Sequence, residues 1–517
     1  MQQLSSTGTD ETALTEAFRQ PVRSGAARFF AWSLLLGALV GLGELIDPNL
    51  FDPQHKQFIF LLGLLGAWRY GNAVTHYLRG MYFLHWKFPA MRRELRRQGD
   101  TCLPSQLFMV VTSFRIPTHT TFKVYQSVFR EALRLPVPCT VIASIVEKGD
   151  ETLIRQIFQR EAGDQERLRL IIIRARGTGK RDGLAHAFRA LSRQMPAADA
   201  VVGVVDGDTT LLPGCVSNAV GFFSLLPSVG GITTNEFCEV EGGHLMREWH
   251  ALRFAQRHIN MCSMALSRRV LTMTGRLSFF RASAVADPDF IRDVEADYLE
   301  HWRLGRFRFL TGDDKSSWFS LMRANWDTFY VPDSNTLTVE HPPDSSFLRA
   351  TRQLMFRWYG NSLRQNLRAT RLLGFRRLGL FTMYVLYDQR VSMWTSLLGL
   401  SASLLAALVH GAQFLLVYLF WILLTRTLMT LLMRFSGHRI DPIYPLVLYY
   451  NQIVGALMKI NTLFHMDQQS WTRQKTTLDR TSAHFDQRLN HWTSKAMMTS
   501  SAVLFIGAVV LLLELSH

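Results

Sequence analysis

The sequence predicts a Rossmann-like α/β domain inserted between membrane-spanning helices, with amphipathic helices at the membrane interface. Two patterns carry this reading. Long apolar runs stand near both ends of the chain, and between residues 106 and 341 short Val/Ile runs alternate with amphipathic helical patterns. A mean hydropathy of +0.05 is the average of these unlike parts. The 517 residues are 48% hydrophobic and 19% charged, enough apolar material for several cores and incompatible with a disordered chain. Lys and Arg number 57 against 41 Asp and Glu, a formal charge of +16 that suits an anionic membrane surface, an acidic substrate or a nucleic acid. The five cysteines, Cys102, Cys139, Cys215, Cys238 and Cys262, show no CxxC or zinc-ligand spacing and are expected to be reduced thiols.

Apolar stretches cover 29–46, a segment opening near Gln57, 391–409, 413–433 and 497–513. Each is about the ~20 residues that a helix needs to cross hydrocarbon. Because 28 residues precede the first and no small-residue cleavage pattern follows it, it reads as a span rather than a cleaved leader. Arg19, Arg23 and Arg28 precede the first span, Asp47, Asp52 and Lys56 follow it, and Arg79, Lys87, Arg92, Arg93, Arg96 and Arg97 follow the second. Basic excess marks the cytoplasmic side, which places the N-terminus and the α/β domain there. Arg434 and Arg439 after the fourth span agree with this, as does the uncharged link at 410–413.

Residues 442–464 are long enough to span but carry Asn451, Gln452, Lys459 and Asn461, so an amphipathic helix lying in the interface is expected. A span there would instead put 465–495 outside. Two spans carry an arginine. Arg69 lies 12 residues after Gln57 and Arg426 lies 13 after Gln413, which at ~1.5 Å per residue puts both at one depth, roughly 18–20 Å in. Charges in hydrocarbon usually face a bundle interior or a polar path, and both arginines are expected to face the path of a translocated anion, with snorkelling to headgroups as the alternative.

In the middle of the chain, strands are expected at 107–113, 139–146, 169–173, 200–206 and 230–235, with helices at 119–133, 151–161 and 183–193. Buried Val/Ile runs alternating with helices indicate a parallel sheet with crossover helices. Such sheets bind ligands beyond the carboxyl ends of their strands. Thr112, closing the first strand, is therefore a candidate nucleotide contact. The first 20 residues read as a mobile tail.

Four motifs carry chemistry. Val204-Val-Asp206-Gly-Asp208 ends a buried strand in two carboxylates, which can hold a divalent cation such as Mg²⁺ or Mn²⁺ against phosphate oxygens or simply form an Asx turn. Gly177-Thr-Gly-Lys180-Arg181-Asp-Gly183 opens a helix after a strand, so backbone N–H groups and two cations suit a diphosphate, although the spacing is not that of a Walker A loop. Gly312-Asp313-Asp314-Lys315 sets two carboxylates at a loop–helix junction, as a general base needs and as an ordinary helix start also favours. Gln353-Leu-Met-Phe-Arg357-Trp358 puts an amide and a guanidinium on one helix face beside an indole, a platform for a sugar or an interfacial aromatic anchor.

This order of carboxylate pairs and Arg-Trp, flanked by membrane spans, resembles the processive family 2 glycosyltransferases, the cellulose, chitin and hyaluronan synthases. QLMFRW differs from QxxRW by one inserted residue, GDDK is similar to the GDD form of the base motif, and Ser470-Trp471-Thr472-Arg473 resembles WGTR without its glycine. Longer segments, among them WRYGNAVTHYLRGM, GTGKRDG, VVDGDT, FLTGDDKSSWFSLMR, HPPDSSF and DQQSWTRQ, resemble the catalytic subunits of bacterial alginate polymerases, the mannuronan synthases.

The resemblance implies a GT-A-type domain that polymerises mannuronate from GDP-mannuronic acid into a β-1,4 chain by inverting transfer and passes that chain across the bacterial inner membrane. It implies Mg²⁺ (or Mn²⁺) at Asp206 and Asp208, and donor contacts from Lys180, Arg181, Trp471 and Arg473. It implies Asp314 as the base with Asp313 as its neighbour, and acceptor contacts from Gln353, Arg357 and Trp358, joined by Gly275 and Arg276. A PilZ-domain co-polymerase subunit binding cyclic-di-GMP and other alginate export proteins are the implied partners. The units are expected at 1–28 (tail), 29–85 (two spans), 86–345 (transferase), 346–390 (interface helices), 391–433 (two spans), 434–495 (interface helix and SWTR segment) and 496–517 (last span).

Three other classes fit less of the sequence. A synthase using a UDP-sugar or a non-processive membrane transferase would share the carboxylates. A transporter without catalysis would not need them. Nucleic-acid binding would explain the charge, but the basic residues stand beside spans rather than in a recognition motif.

Overall fold

The computed structural model describes residues 25–46, 56–163, 165–175, 179–469 and 484–514. Helices α1 (Gly25–Glu44) and α2 (Lys56–Tyr82) come first, and a π-helical turn, Phe83–Lys87, joins α2 to α3 (Phe88–Gln98). The α/β domain then runs β1 (Leu107–Thr112), α4 (Thr118–Leu133), β2 (Cys139–Ile145), α5 (Lys148–Ala162), β3 (Leu168–Arg174), α6 (Lys180–Ser192), β4 (Val201–Asp206), β5 (Thr209–Leu211), β6 (Val229–Val240) and α7 (His244–Ala265). It continues through β7 (Leu277–Arg281), α8 (Pro288–Glu295), the hairpin β8 (Tyr298–His301) and β9 (Gly305–Arg308), α9 (Asp313–Arg323) and β10 (Asp327–Glu340). Helices α10 (Phe347–Leu372), α11 (Leu380–His410), α12 (Gln413–Met433), α13 (Tyr444–Phe464) and α14 (His484–Glu514) complete the chain.

The eight-stranded sheet has the order β3-β2-β1-β4-β7-β6-β10-β5. Strands β1 to β4 pair in parallel, as the Val/Ile runs predict, because both faces of these strands are covered by helices. The other half corrects the all-parallel expectation. β7 enters antiparallel between β4 and β6, and β5 pairs antiparallel with β10. The residues of β7, Leu-Ser-Phe-Phe-Arg, are buried on both sides, so no alternation of polar and apolar residues announces the strand.

Among the described residues, four helices are long and apolar enough to cross a membrane: Gly25–Glu44, Leu380–Val409, Gln413–Ser436 and Arg488–Leu511. Helix α2 forms where a further span was expected, and the side chains of residues 56–65 lie outside the described set. Helix α11 is continuous from Leu380, so the apolar stretch that opens at 391 lies within a longer helix. Helix α13 packs between α10, α11 and α12. Its polar residues are spent on those neighbours and on α7: Asn451 accepts from Trp249 Nε1 at 2.7 Å, and Gln452 donates to the Ser396 carbonyl at 3.1 Å. Lys459 lies over the Tyr359 ring at 5.1 Å.

Candidate active site

A cleft of ≈ 950 Å³ beyond the carboxyl end of β4 gathers residues from segments far apart in sequence. Asp206 is the last residue of buried β4 and sits in register with Thr112 on β1. The turn at Gly207 presses against β1 so closely that a Cβ would stand 2.6 Å from the Thr112 carbonyl oxygen and 2.8 Å from the Ser113 Cα. Only glycine fits there, and its fit carries Asp208 into the cleft beside Asp206. Among the described residues the buried Thr112 hydroxyl has no hydrogen-bond partner, and it lines a small adjoining recess with Lys180, Asp206 and Asp208.

Helix α6 begins at Lys180, whose ammonium lies 3.1 Å from Asp206 Oδ2 and 3.2 Å from Asp313 Oδ2. Burial works against this cation, but the two carboxylates outweigh it and raise its pKa. Burial, with Asp208 and Asp313 adding to it and Lys180 opposing, pushes Asp206 up to about 6. Asp313 is half-buried, yet Lys180 and Arg181 hold its pKa below the ordinary carboxylate value. Gly275 lies against this group, where a Cβ would stand 3.3 Å from Lys180 Nζ and 3.8 Å from Asp206 Oδ2. The oxygen-only donor set of Asp206 and Asp208, with Asp313 near them, fits the hard divalent cation that the motif implies.

Asp313 and Asp314 open α9 after Gly312, which has φ 88°, a left-handed conformation that favours glycine. Carboxylates in a first helical turn are favoured by the backbone dipole. Asp314 Oδ2 accepts from Thr272 Oγ1 at 3.0 Å and lies 3.5 Å from Lys315 Nζ. Trp318, fully buried one turn on, donates its indole N–H to the Val270 carbonyl and anchors the helix. Removing such an indole costs roughly 3–5 kcal/mol.

Arg181 departs from its expected role. It points away from the Lys180 ammonium into the protein, where it donates to the Val294 carbonyl at 2.9 Å, the Thr311 carbonyl at 3.1 Å and Ser316 Oγ at 3.1 Å. It braces the loop carrying the Asp pair. Arg276 is similarly occupied, with Nη1 2.5 Å from Glu236 Oε2 and Nη2 paired with Glu340. Gln353 is exposed on α10 and does not line the cleft, while Leu354, Arg357 and Trp358 do. Trp471 and Arg473 lie outside the described residues, as do Gly177 and Thr178.

Sequence reasoning missed the wall formed by α7. Trp249 stacks on Trp358 with ring centroids 5.7 Å apart and planes 16° apart. Arg253 lies over both rings, 4.9 Å from the Trp249 centroid and 4.3 Å from that of Trp358. Arg257, one turn further, reaches Glu236 Oε1 at 3.3 Å. Burial, then Arg253 and Arg276, lowers His250 to about 3, so its ring is neutral beside them. The i,i+4 spacing of Arg253 and Arg257 was the available signal.

The two span arginines find partners. Arg69 Nη1 lies 3.1 Å from Asp388 Oδ1, and Asn72 Nδ2 donates to Asp388 Oδ2 at 3.0 Å. Its charge is thus matched, which corrects its expected role of offering a cation to a passing anion. Arg426 pairs with the Gln452 carboxamide and has no carboxylate partner among the described residues. Their neighbours Tyr70 and Thr425 are hydrogen-bonded at 3.3 Å, so the two arginines stand at one level of the helical bundle.

Residues 104–361 match the family described as Glycosyltransferase like family 2. The chain is 56% identical over 491 residues to "Glycosyltransferase alg8" of Pseudomonas syringae pv. tomato, covering 95% of this chain and 99% of that one. It is 54% identical to "Glycosyltransferase alg8" of Azotobacter vinelandii, covering 93% and 97%. Among solved structures it is similar to the mannosyltransferase PcManGT from Pyrobaculum calidifontis in complex with GDP-Man and Mn²⁺, at 15% identity and TM-score 0.44, over 78% of this chain and 98% of that one. The α/β domain has the GT-A-type fold, and the chain belongs to the Alg8 glycosyltransferases of glycosyltransferase family 2.

Proposed function

We propose that this glycosyltransferase polymerises mannuronate from GDP-mannuronic acid into a β-1,4 chain, the alginate precursor, and passes it across the bacterial inner membrane with its catalytic domain in the cytoplasm. One observation carries the reading: a single cleft holds the Asp206–Asp208 pair, the Asp313–Asp314 pair and the Trp358 indole flanked by Arg253 and Arg357. Lys180 holds the donor diphosphate and stays protonated as the nucleotide leaves. Asp206 and Asp208 would hold a divalent cation, which would supply Lewis-acid neutralisation of charge on that leaving group. Asp314 takes the proton from the acceptor hydroxyl, and Thr272 orients its carboxylate. An α-linked donor giving a β-linked product needs one base and no enzyme nucleophile, and the site supplies one.

Trp358 stacks on the acceptor end, and Arg253 and Arg357 favour a polyanionic chain over a neutral one. Gln469 supports a donor role for the SWTR segment: its side chain bonds the Leu310 N–H and the Arg308 carbonyl at 2.9 Å each, which brings the chain to the Thr311–Asp314 loop two residues before Trp471. Export and regulation by a PilZ-domain subunit binding cyclic-di-GMP belong to the same reading. Membranes containing the protein, supplied with radiolabelled donors, should incorporate label from GDP-mannuronate and not from UDP-sugars. Incorporation from a UDP-sugar alone would replace the substrate assignment while leaving the transferase.

A further inference from the structure

A second cavity, ≈ 470 Å³, lies on the other side of α10, where the polar stretch of α11 turns apolar after Arg390 and that of α14 does so near Met497. Two helices that change character at one level mark the membrane interface. The floor is apolar, formed by Phe464, Met466 and Met497, and the rim carries Arg303, Arg371 and Arg390. Among the described residues no carboxylate lines it. The arginines are held in place by neutral acceptors: Arg303 Nη2 donates to the Phe464 carbonyl at 2.7 Å, Arg371 Nη1 to the Glu300 carbonyl at 3.1 Å and Arg390 Nη2 to Thr370 Oγ1 at 2.6 Å. Asp467, next to the floor residue Met466, is a carboxylate acting on Arg303 and His301. Burial lowers the pKa of Arg303, an electrostatic cost that a bound anion relieves. Trp302 at the cavity mouth is 77% exposed and Trp492 on α14 is 73% exposed, as indoles at a membrane–water boundary are.

We propose that this cavity binds an anionic phospholipid, its phosphate held by Arg371 and Arg390 and its acyl chains leaving along the apolar floor beside α11 and α14. A free phosphate offers the same anion without the tail, and a zwitterionic lipid the tail without net charge. The chemistry of cationic rim and apolar floor together selects the anionic lipid. The proposal is independent of which sugar the enzyme uses.

The test uses the full chain, purified in detergent and examined by native mass spectrometry with phosphatidylglycerol, phosphatidylcholine or inorganic phosphate added. Phosphatidylglycerol should be retained over phosphatidylcholine, and Arg371→Gln with Arg390→Gln should weaken that retention by about fivefold per cation removed. Arg292→Gln with Arg349→Gln, exposed arginines elsewhere, should leave it unchanged. Equal retention of the two lipids, an equal loss in the control pair, or displacement of the lipid by millimolar phosphate would each overturn the assignment. A headgroup photoprobe on phosphatidylglycerol, applied to the unmutated protein, should mark peptides containing Arg371 or Arg390, and labelling confined to other peptides would refute it even if the variants do not fold.

Discussion

The ammonium of Lys180 lies 3.1 Å from Asp206 Oδ2, at the foot of the cleft, and it also reaches Asp313 at 3.2 Å. One cation therefore joins the end of β4 to the start of α9, the two segments that carry the carboxylates. Lys180→Met should lower polymer synthesis by about 100-fold or more, the scale of a lost electrostatic stabiliser. Lys180→Arg should not restore it, because Gly275 and Asp206 leave no room for a larger head. Initial rates on membranes at matched protein levels check both, and near-normal synthesis by either variant contradicts the role.

Asp314→Asn and Asp208→Asn should separate the two halves of the site. The first should reduce transfer by about 10²–10⁴-fold while sparing GDP affinity, because the base acts on the acceptor. The second should weaken GDP binding in the presence of Mg²⁺ or Mn²⁺ and leave metal-free binding unchanged. Isothermal titration with GDP decides, and loss of GDP binding in Asp314→Asn would move that residue to the donor side.

Arg253 lies over the stacked indoles, where an acceptor carboxylate can meet it. Arg253→Gln should raise the KM for mannuronate oligomers by roughly tenfold, with kcat on saturating acceptor little changed, the pattern of lost binding that is equal in ground and transition states. Arg253→Lys should recover only part of the loss, since it keeps the charge without the bidentate fork. An unchanged KM in Arg253→Gln removes the residue from the acceptor site.

Asp388 neutralises Arg69 within the helical bundle and is itself nearly buried, its side chain 10% exposed. Asp388→Asn should cost up to about 3 kcal/mol by stranding the guanidinium. The double variant Arg69→Gln/Asp388→Asn should regain most of it. Thermal unfolding in detergent measures the cycle, and additive losses would show that the pair is not coupled.

His258 is buried on α7, with Nδ1 2.7 Å from the Tyr330 hydroxyl, and burial, then His438 and Arg257, pull it down to about 3 from 6.5. Above pH 6.5 neither folded nor unfolded chain binds this proton. Below that value the unfolded chain binds it first, so stability present at neutral pH is lost as pH falls, at about 1.4 kcal/mol per pH unit for this group. His258→Gln should flatten the fall of the unfolding midpoint between pH 6.5 and 5, and the slope rather than the absolute midpoint is the quantity to compare.

The sequence alone determined the apolar helices, the crossover helices α4, α5 and α6, four strands of the parallel half and the motifs at their ends, because each is a local pattern. A run of Val and Ile reports two buried faces, and Asp206-Gly-Asp208 reports a strand leaving the sheet. Local patterns do not report partners. Lys180 and Arg181 are adjacent in sequence, yet the helical turn sends one to the cleft and the other beneath α9. Arg276 meets Glu236 only because β7 enters the sheet antiparallel beside β6. Trp249 reaches Trp358 by the packing of α7 on α10, and Arg69 reaches Asp388 across 319 residues of chain. A buried charge settles against whatever opposite charge the packing brings within reach, and that choice belongs to the tertiary structure.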